Sequence, residues 1–235
     1  MATEVKICGL NTHEAVEASL AAGADFLGFV FFAKSPRNVG FAEAAALAEA
    51  VGDRARKVAL TVDASDALIA DIVAALGPDF LQLHGAESPQ RVREVAERFS
   101  LPVVKALGIG SAEDLAVVRQ YAGIADRLLL DARPPKSATR PGGNGEVFDW
   151  SLLTGFEPGV PWFLSGGLDP KNVAEAVRRT RAPAVDVSSG VESAPGKKDV
   201  SRIAAFVAAV RKADSPGSGD TPKDARRAAR PVAAL

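Results

Sequence analysis

One cysteine and one aspartate frame the chemistry this chain could do. Cys8 stands in Lys6-Ile7-Cys8-Gly9-Leu10, at the end of the first short apolar run, and is the sole cysteine of the 235 residues. Asp131 closes another such run, Leu128-Leu129-Leu130-Asp131. A thiol facing a carboxylic acid makes an acid/base pair that needs no metal: the acid gives a proton to one atom of a ligand and the thiolate takes one from another. Each residue has a plainer reading. A free cysteine is most often a small core hydrophobe. An aspartate ending an apolar strand is costly unless it is used or paired.

Side chains alternate along a strand, so polar residues of one parity near strand ends point into a common interior. By this rule Lys6 accompanies Cys8, and Gln82 accompanies His84. Lys105, Asp131 and the pair Asp186 with Ser188 follow on later strands. Lys6, His84, Lys105 and Asp186 are therefore pocket candidates. Buried without partners they would cost about 1–3 kcal/mol each or more, so internal pairing, for example of Lys105 with Asp186, is the competing explanation. A satisfied core histidine is the competing explanation for His84.

Two small-residue segments suggest an anion site. Ser165-Gly166-Gly167-Leu168 runs into Asp169-Pro170-Lys171-Asn172, and Ser188-Ser189-Gly190-Val191 follows the last apolar run. Small residues let backbone amides approach an anion, and a helix N-terminus adds a favourable dipole. Gly166, Gly167, Ser188, Ser189 and Gly190 are the phosphate-binding candidates. Arg37, in Ala33-Lys34-Ser35-Pro36-Arg37-Asn38, either clamps a carboxylate in bidentate fashion or is a solvated surface arginine. The glycine-rich stretch Pro141-Gly142-Gly143-Asn144-Gly145 can close over a ligand and exclude water, which makes Gly142 and Gly143 candidates too. His13 reads as a helix-start residue.

These residues need a scaffold, and the chain has a period that supplies one. Short β-rich runs (Val5–Gly9, Asp25–Phe31, Lys57–Val62, Phe80–Leu83, Val103–Leu107, Arg127–Leu130, Trp162–Leu164 and Ala184–Val187) alternate with stretches of helical period. Seven helical stretches separate the strands and an eighth follows. Start signals such as Asn11-Thr12-His13-Glu14, Ser65-Asp66, Ser88-Pro89, Ser111-Ala112-Glu113 and Asp169-Pro170 mark helix openings. Eight such units predict a (β/α)₈ TIM barrel in the α/β class, as one domain over residues 1–213. An open doubly wound sheet is the alternative, but no glycine fingerprint follows the first strand. From Asp214 the Ser/Pro/Gly-rich and then charged sequence reads as a flexible tail, 214–235. Barrel enzymes work at the C-terminal strand ends, with phosphate held by loops seven and eight, which is where the small-residue segments fall.

Composition excludes several classes. Twenty-eight basic residues against 29 acidic, with no basic stripe, argue against nucleic acid and anionic membranes as partners. No run reaches the ~18 apolar residues of a membrane span, and no signal peptide is visible, so a cytoplasmic protein is expected. Two histidines offer few metal ligands beyond carboxylates, and neither a metal nor a cofactor is expected.

The chain resembles the phosphoribosylanthranilate isomerases of tryptophan biosynthesis from about Val5 to Ala213. The likeness rests on Lys6–Leu10, Gly23–Phe31, Ser35–Val39, Leu81-Gln82-Leu83-His84-Gly85, Leu130-Asp131, Gly142–Gly145 with Phe148-Asp149-Trp150, Ser165–Leu168 and Val185–Glu192, all in this order. Asn144 departs from the Thr or Ser more usual in the glycine loop, and Asn11-Thr12-His13 is less typical. The resemblance implies that Cys8 is the general base and Asp131 the general acid. It implies that Arg37 holds the anthranilate carboxylate and that the loops after strands seven and eight hold the phosphate. The reaction implied is an Amadori rearrangement, an aldose–ketose isomerisation of the intramolecular oxidoreductase type. The protonated imine it passes through is its own electron sink. The expected partner is a small phosphosugar–anthranilate substrate, with the chain a monomer or homodimer. A metal-dependent phosphosugar epimerase and a non-catalytic phosphate-binding barrel are the rival readings.

Overall fold

The computed structural model describes residues 2–133, 142 and 149–215. Eight parallel strands close into a barrel in chain order: β1 Glu4–Cys8, β2 Phe26–Phe31, β3 Arg56–Thr61, β4 Phe80–Leu83, β5 Val103–Ile109, β6 Arg127–Ala132, β7 Trp162–Leu164 and β8 Ala184–Val187. The barrel shuts where Lys6 of β1 pairs with Asp186 of β8. Helices α1 His13–Ala22, α2 Phe41–Val51, α3 Asp66–Leu76, α4 Pro89–Phe99, α5 Ala112–Arg119, α6 Val173–Thr180 and α7 Val200–Asp214 cover the outside. The closed sheet confirms the barrel expectation over the open alternative.

Local chemistry explains the boundaries. The hydroxyls of Thr12, Ser65 and Ser88 accept from the Ala15, Leu68 and Arg91 amides, so the expected start signals cap α1, α3 and α4. Gly23 ends α1 at φ 84°, where a side chain would be strained. One expectation is corrected. Asp169-Pro170 does not open α6: the Asp169 carboxylate instead accepts from the Lys171 and Asn172 amides in a turn, and the helix begins at Val173. Between β6 and β7 the described residues hold a 3₁₀ turn, Trp150–Leu153, and the rest of the helical stretch expected there lies outside the described residues. Most of the glycine-rich stretch, including Gly143 and Asn144, lies outside the described residues, as does the tail beyond Ser215. Asp214 ends α7, and its carboxylate accepts from the Thr3 amide and hydroxyl at 2.9 and 2.6 Å.

The barrel interior is layered. Phe26, Val58, Val104, Ala106, Leu129, Phe163 and Ala184 form an apolar plug, with Phe80 against it. Below it Glu4 pairs with Arg56 at 2.8 Å and Arg127 at 2.6 Å, and the Arg127 guanidinium lies over the rings of Phe26, Phe163 and Phe80. Above the plug, toward the C-terminal strand ends, Cys8, Val30 and Leu60 pack together. The apolar floor leaves the polar residues of the upper layer to meet one another and whatever enters from the rim. A larger shell between strands and helices carries the rest of the core.

Candidate active site

A cleft of about 780 Å³, its open mouth included, occupies the C-terminal end of the barrel. Cys8 and Asp131, from strands three places apart around the barrel, both line it. So do Arg37, His84, Gly142, Gly166, Gly167, Asp186, Ser188 and Ser189 among the sequence candidates.

Cys8 is buried at the cleft wall, with 4% of its surface exposed. Burial pushes its thiol pKa up; the Lys6 and Lys198 ammonium groups pull it down, and Asp186 adds to the rise. Lys6 sits beneath the sulfur and bonds Asp186 Oδ1 at 2.7 Å. Burial alone would depress the Lys6 pKa, but Asp186, and then Cys8, outweigh it and hold it above the ordinary value. Asp186 Oδ2 accepts from the Ser165 hydroxyl at 3.0 Å. Gly28, opposite Cys8 on β2, makes room for this pair. A Cβ there would stand 2.9 Å from Cys8 Sγ and 3.2 Å from Lys6 Nζ.

On the far wall, Asp131 Oδ2 lies 3.3 Å from His84 Nε2, and its Oδ1 accepts from the Ala132 amide. The Gln82 amide meets His84 Nδ1 at 3.1 Å. With Nδ1 accepting from Gln82, the ring presents Nε2–H to the carboxylate. His84 is thus a cleft residue rather than a core histidine. Gly142 closes over both: a Cβ there would lie 2.8 Å from Asp131 Oδ2 and from His84 Nε2.

Lys105 is corrected. Val104 and Ala106 face the barrel axis, so Lys105 between them points outward. It bonds Glu87 at 2.8 Å and the carbonyls of Leu83 and Gly85, with Tyr121 alongside. Its partner is not Asp186, and it does not reach the cleft. Lys6 is buried below the cleft floor, acting on Cys8 rather than lining the cavity.

Arg37 is buried, not solvated. Its Nε and Nη2 donate to Glu192 Oε1 and Oε2 at 2.7 and 2.8 Å. Lys198 Nζ joins the same carboxylate at 2.7 Å and also donates to the Ser188 carbonyl and hydroxyl. Sequence reasoning gave Glu192 and Lys198 no role. They stand on β9 Glu192–Ala194 and β10 Lys197–Lys198, an antiparallel hairpin. Ala194-Pro195-Gly196 between a lone acid and two lysines was its available signal. The loops after β7 and β8 approach each other closely, since a Cβ on Gly190 would collide with Leu168. No described residue accepts from the amides of Gly166 and Gly167, two glycines that line the cleft. The residues after β8 form a 3₁₀ turn, Ser189–Val191.

A closed (β/α)₈ barrel whose rim cleft holds a thiol, a carboxylate, a buried arginine and free loop amides defines an acid/base barrel enzyme. The chain belongs to the N-(5'-phosphoribosyl)anthranilate isomerase family, whose model matches residues 5–209. It is 60% identical over 211 residues to the N-(5'-phosphoribosyl)anthranilate isomerase of Rhodopseudomonas palustris strain HaA2, covering 90% of this chain and 97% of that one. Among solved structures it resembles monomers of a dimeric phosphoribosylanthranilate isomerase from Thermotoga maritima, at 34% identity and a TM-score of 0.78, covering 89% of this chain and 99% of that one. It matches equally a phosphoribosylanthranilate isomerase in complex with reduced 1-(o-carboxyphenylamino)-1-deoxyribulose 5-phosphate, at 34% identity, a TM-score of 0.78 and the same coverage. Among the described residues no group of three or more His, Cys, Asp or Glu is arranged to hold a metal ion, and no helix is long and apolar enough to cross a membrane.

Proposed function

We propose that Cys8 and Asp131 carry out the Amadori rearrangement of N-(5'-phosphoribosyl)anthranilate to 1-(2-carboxyphenylamino)-1-deoxyribulose 5-phosphate. The chain is an isomerase of tryptophan biosynthesis. Asp131 gives its proton to the furanose ring oxygen; the C1–O bond breaks and the nitrogen lone pair forms C1=N. The Cys8 thiolate then removes the proton on C2, and those electrons flow into the protonated imine. The resulting enolamine tautomerises, gaining a proton at C1 and losing one from the C2 hydroxyl, to give the ketone. Arg37 binds the anthranilate carboxylate through the guanidinium edge that Glu192 leaves free. Gly166, Gly167, Ser188, Ser189 and Gly190 hold the phosphate. Asp186 anchors Lys6 under the thiol, and Gly142 closes over the acid. The substrate is the partner of this site, and the chain works in the cytoplasm as a monomer or homodimer without nucleic acid or membrane.

The observation that carries this reading is the meeting of Cys8 and Asp131 in one cleft from strands three places apart around the barrel. Proton transfer by a placed side chain is worth about 10²–10⁴ in rate. Cys8→Ser and Asp131→Asn should therefore each lower kcat by at least about 10²-fold while still binding a reduced product analogue. Near-normal turnover by Cys8→Ser would show that the base is another group.

A further inference from the structure

Resting on the assignment of Arg37 to the substrate carboxylate, we infer that Glu192 is a positioning residue that ties the two anion-binding ends of the cleft together. Its carboxylate takes Nε and Nη2 of Arg37 with one face and the Lys198 ammonium with Oε1, while Oε2 also accepts from the Gly196 amide. Lys198 carries the link onward to the Ser188 carbonyl and hydroxyl, in the loop assigned to phosphate. Donation from Lys198 to the Ser188 oxygen leaves the hydroxyl proton free to face an anion.

Two further features show that the link is built rather than incidental. The Arg37 side chain lies over Gly9, and Gly196 lies under the Pro36 carbonyl, so both glycines admit the close approach of the β2 loop to the hairpin. Glu192, Arg37 and the Lys198 side chain are all essentially withdrawn from solvent. Two cations share one anion, so the trio keeps one net positive charge. Arg37 and Ser188, the two residues that the link joins, both line the cavity. A bidentate carboxylate fixes a guanidinium in both direction and rotation, which a single hydrogen bond does not. The trio thus sets the spacing between the arginine that meets the aryl carboxylate and the serine that meets the phosphate. It selects ligands carrying two anions at that separation.

The test compares the wild-type chain with three variants, Glu192→Gln, Lys198→Met and Arg37→Ala, by steady-state kinetics and inhibition by inorganic phosphate and by anthranilate. Arg37→Ala should raise KM at least tenfold and weaken anthranilate inhibition while leaving the phosphate inhibition constant within twofold. Glu192→Gln should raise KM at least tenfold with kcat within threefold, and should weaken both inhibitors. Lys198→Met should weaken phosphate at least fivefold. If Arg37→Ala leaves KM unchanged, the carboxylate assignment is wrong. If Arg37→Ala raises KM but folded Glu192→Gln matches the wild type for both inhibitors, the link is wrong and the assignment survives. Should Glu192→Gln fail to fold, Lys198→Met decides alone, and a phosphate inhibition constant within twofold of wild type overturns the proposal.

Discussion

Cys8, the base proposed for the reaction, rests in an environment that opposes its own ionisation. Burial raises the thiol, and Lys6 from below is the larger of the two charges that pull it back. Iodoacetamide labelling of Cys8 should therefore follow an ionisation above the ~8.5 of a free thiol, and Lys6→Met should move it higher still. A labelling midpoint below that of a free cysteine would contradict this electrostatic picture. The same shift has a sign for stability. Between the unfolded and the higher folded pKa the unfolded chain releases its thiol proton first, so stability declines as pH rises through that interval. Lys6→Met also strands Asp186, and removing one partner of a buried pair costs about 3–5 kcal/mol. Its denaturation midpoint should fall accordingly.

At the scale of elements, the strands do more than carry reactive groups to the rim. Gly28 of β2 is the absence that lets β1 present a thiol and an ammonium side by side. In Gly28→Ala the new Cβ would stand 2.9 Å from Sγ and 3.1 Å from the Cys8 Cα, with backbone on one side and no room on the other. Overpacking of this kind costs about 1–3 kcal/mol, and displacement of a reacting atom by about 1 Å can cost 10²-fold in rate. Gly28→Ala should fold with a lowered melting temperature and lose about two decades of kcat. Unchanged kcat would mean that the sulfur does not sit at the reacting carbon. On β5, Lys105→Met leaves Glu87 buried without its cation, and a drop of about 3–5 kcal/mol is expected. Because Lys105 faces the helices, KM should stay close to wild type; a tenfold rise without loss of stability would refute the outward placement.

For the whole molecule, the barrel separates structure from chemistry along its axis: an aromatic and arginine plug closes the bottom, and the upper layer is left to polar pairs. One of those pairs registers in the global acid transition. Burial would raise the Glu192 carboxyl, but the Arg37 hydrogen bonds and the Lys198 charge outweigh it and hold it below its ordinary value. Its contribution is full above the unfolded value of ~4.3 and is lost as pH falls through the lower folded one. Melting temperature should therefore fall more steeply below about pH 4.3 in the wild type than in Glu192→Gln. Parallel curves would deny Glu192 this role.

The sequence by itself determined the alternation of eight strands with helices, because polar caps, glycines and short β-rich runs act locally. All eight strands fall where those runs are, with ends displaced by a residue or two, and the polar caps open α1, α3 and α4 as expected, whereas α6 starts at Val173, beyond its Asp169-Pro170 signal. It also named the candidate residues at the rim, since Cys8, Asp131, Arg37 and the small-residue loops fall at or just after the C-terminal ends of the expected strands, in an ordered series of motifs, though each alone kept a plainer reading. What only the tertiary structure decided is which charges meet. Lys105 turned out to belong to the outer parity of β5, which a short strand with apolar residues on both faces does not reveal. Lys6 found Asp186 because closing the barrel sets β1 beside β8, 180 residues apart in sequence. Glu192 reached Arg37 across 155 residues through a hairpin too short to register in any periodicity. Local propensity is written in neighbouring residues, whereas charge pairing depends on distances that exist only once the sheet has closed.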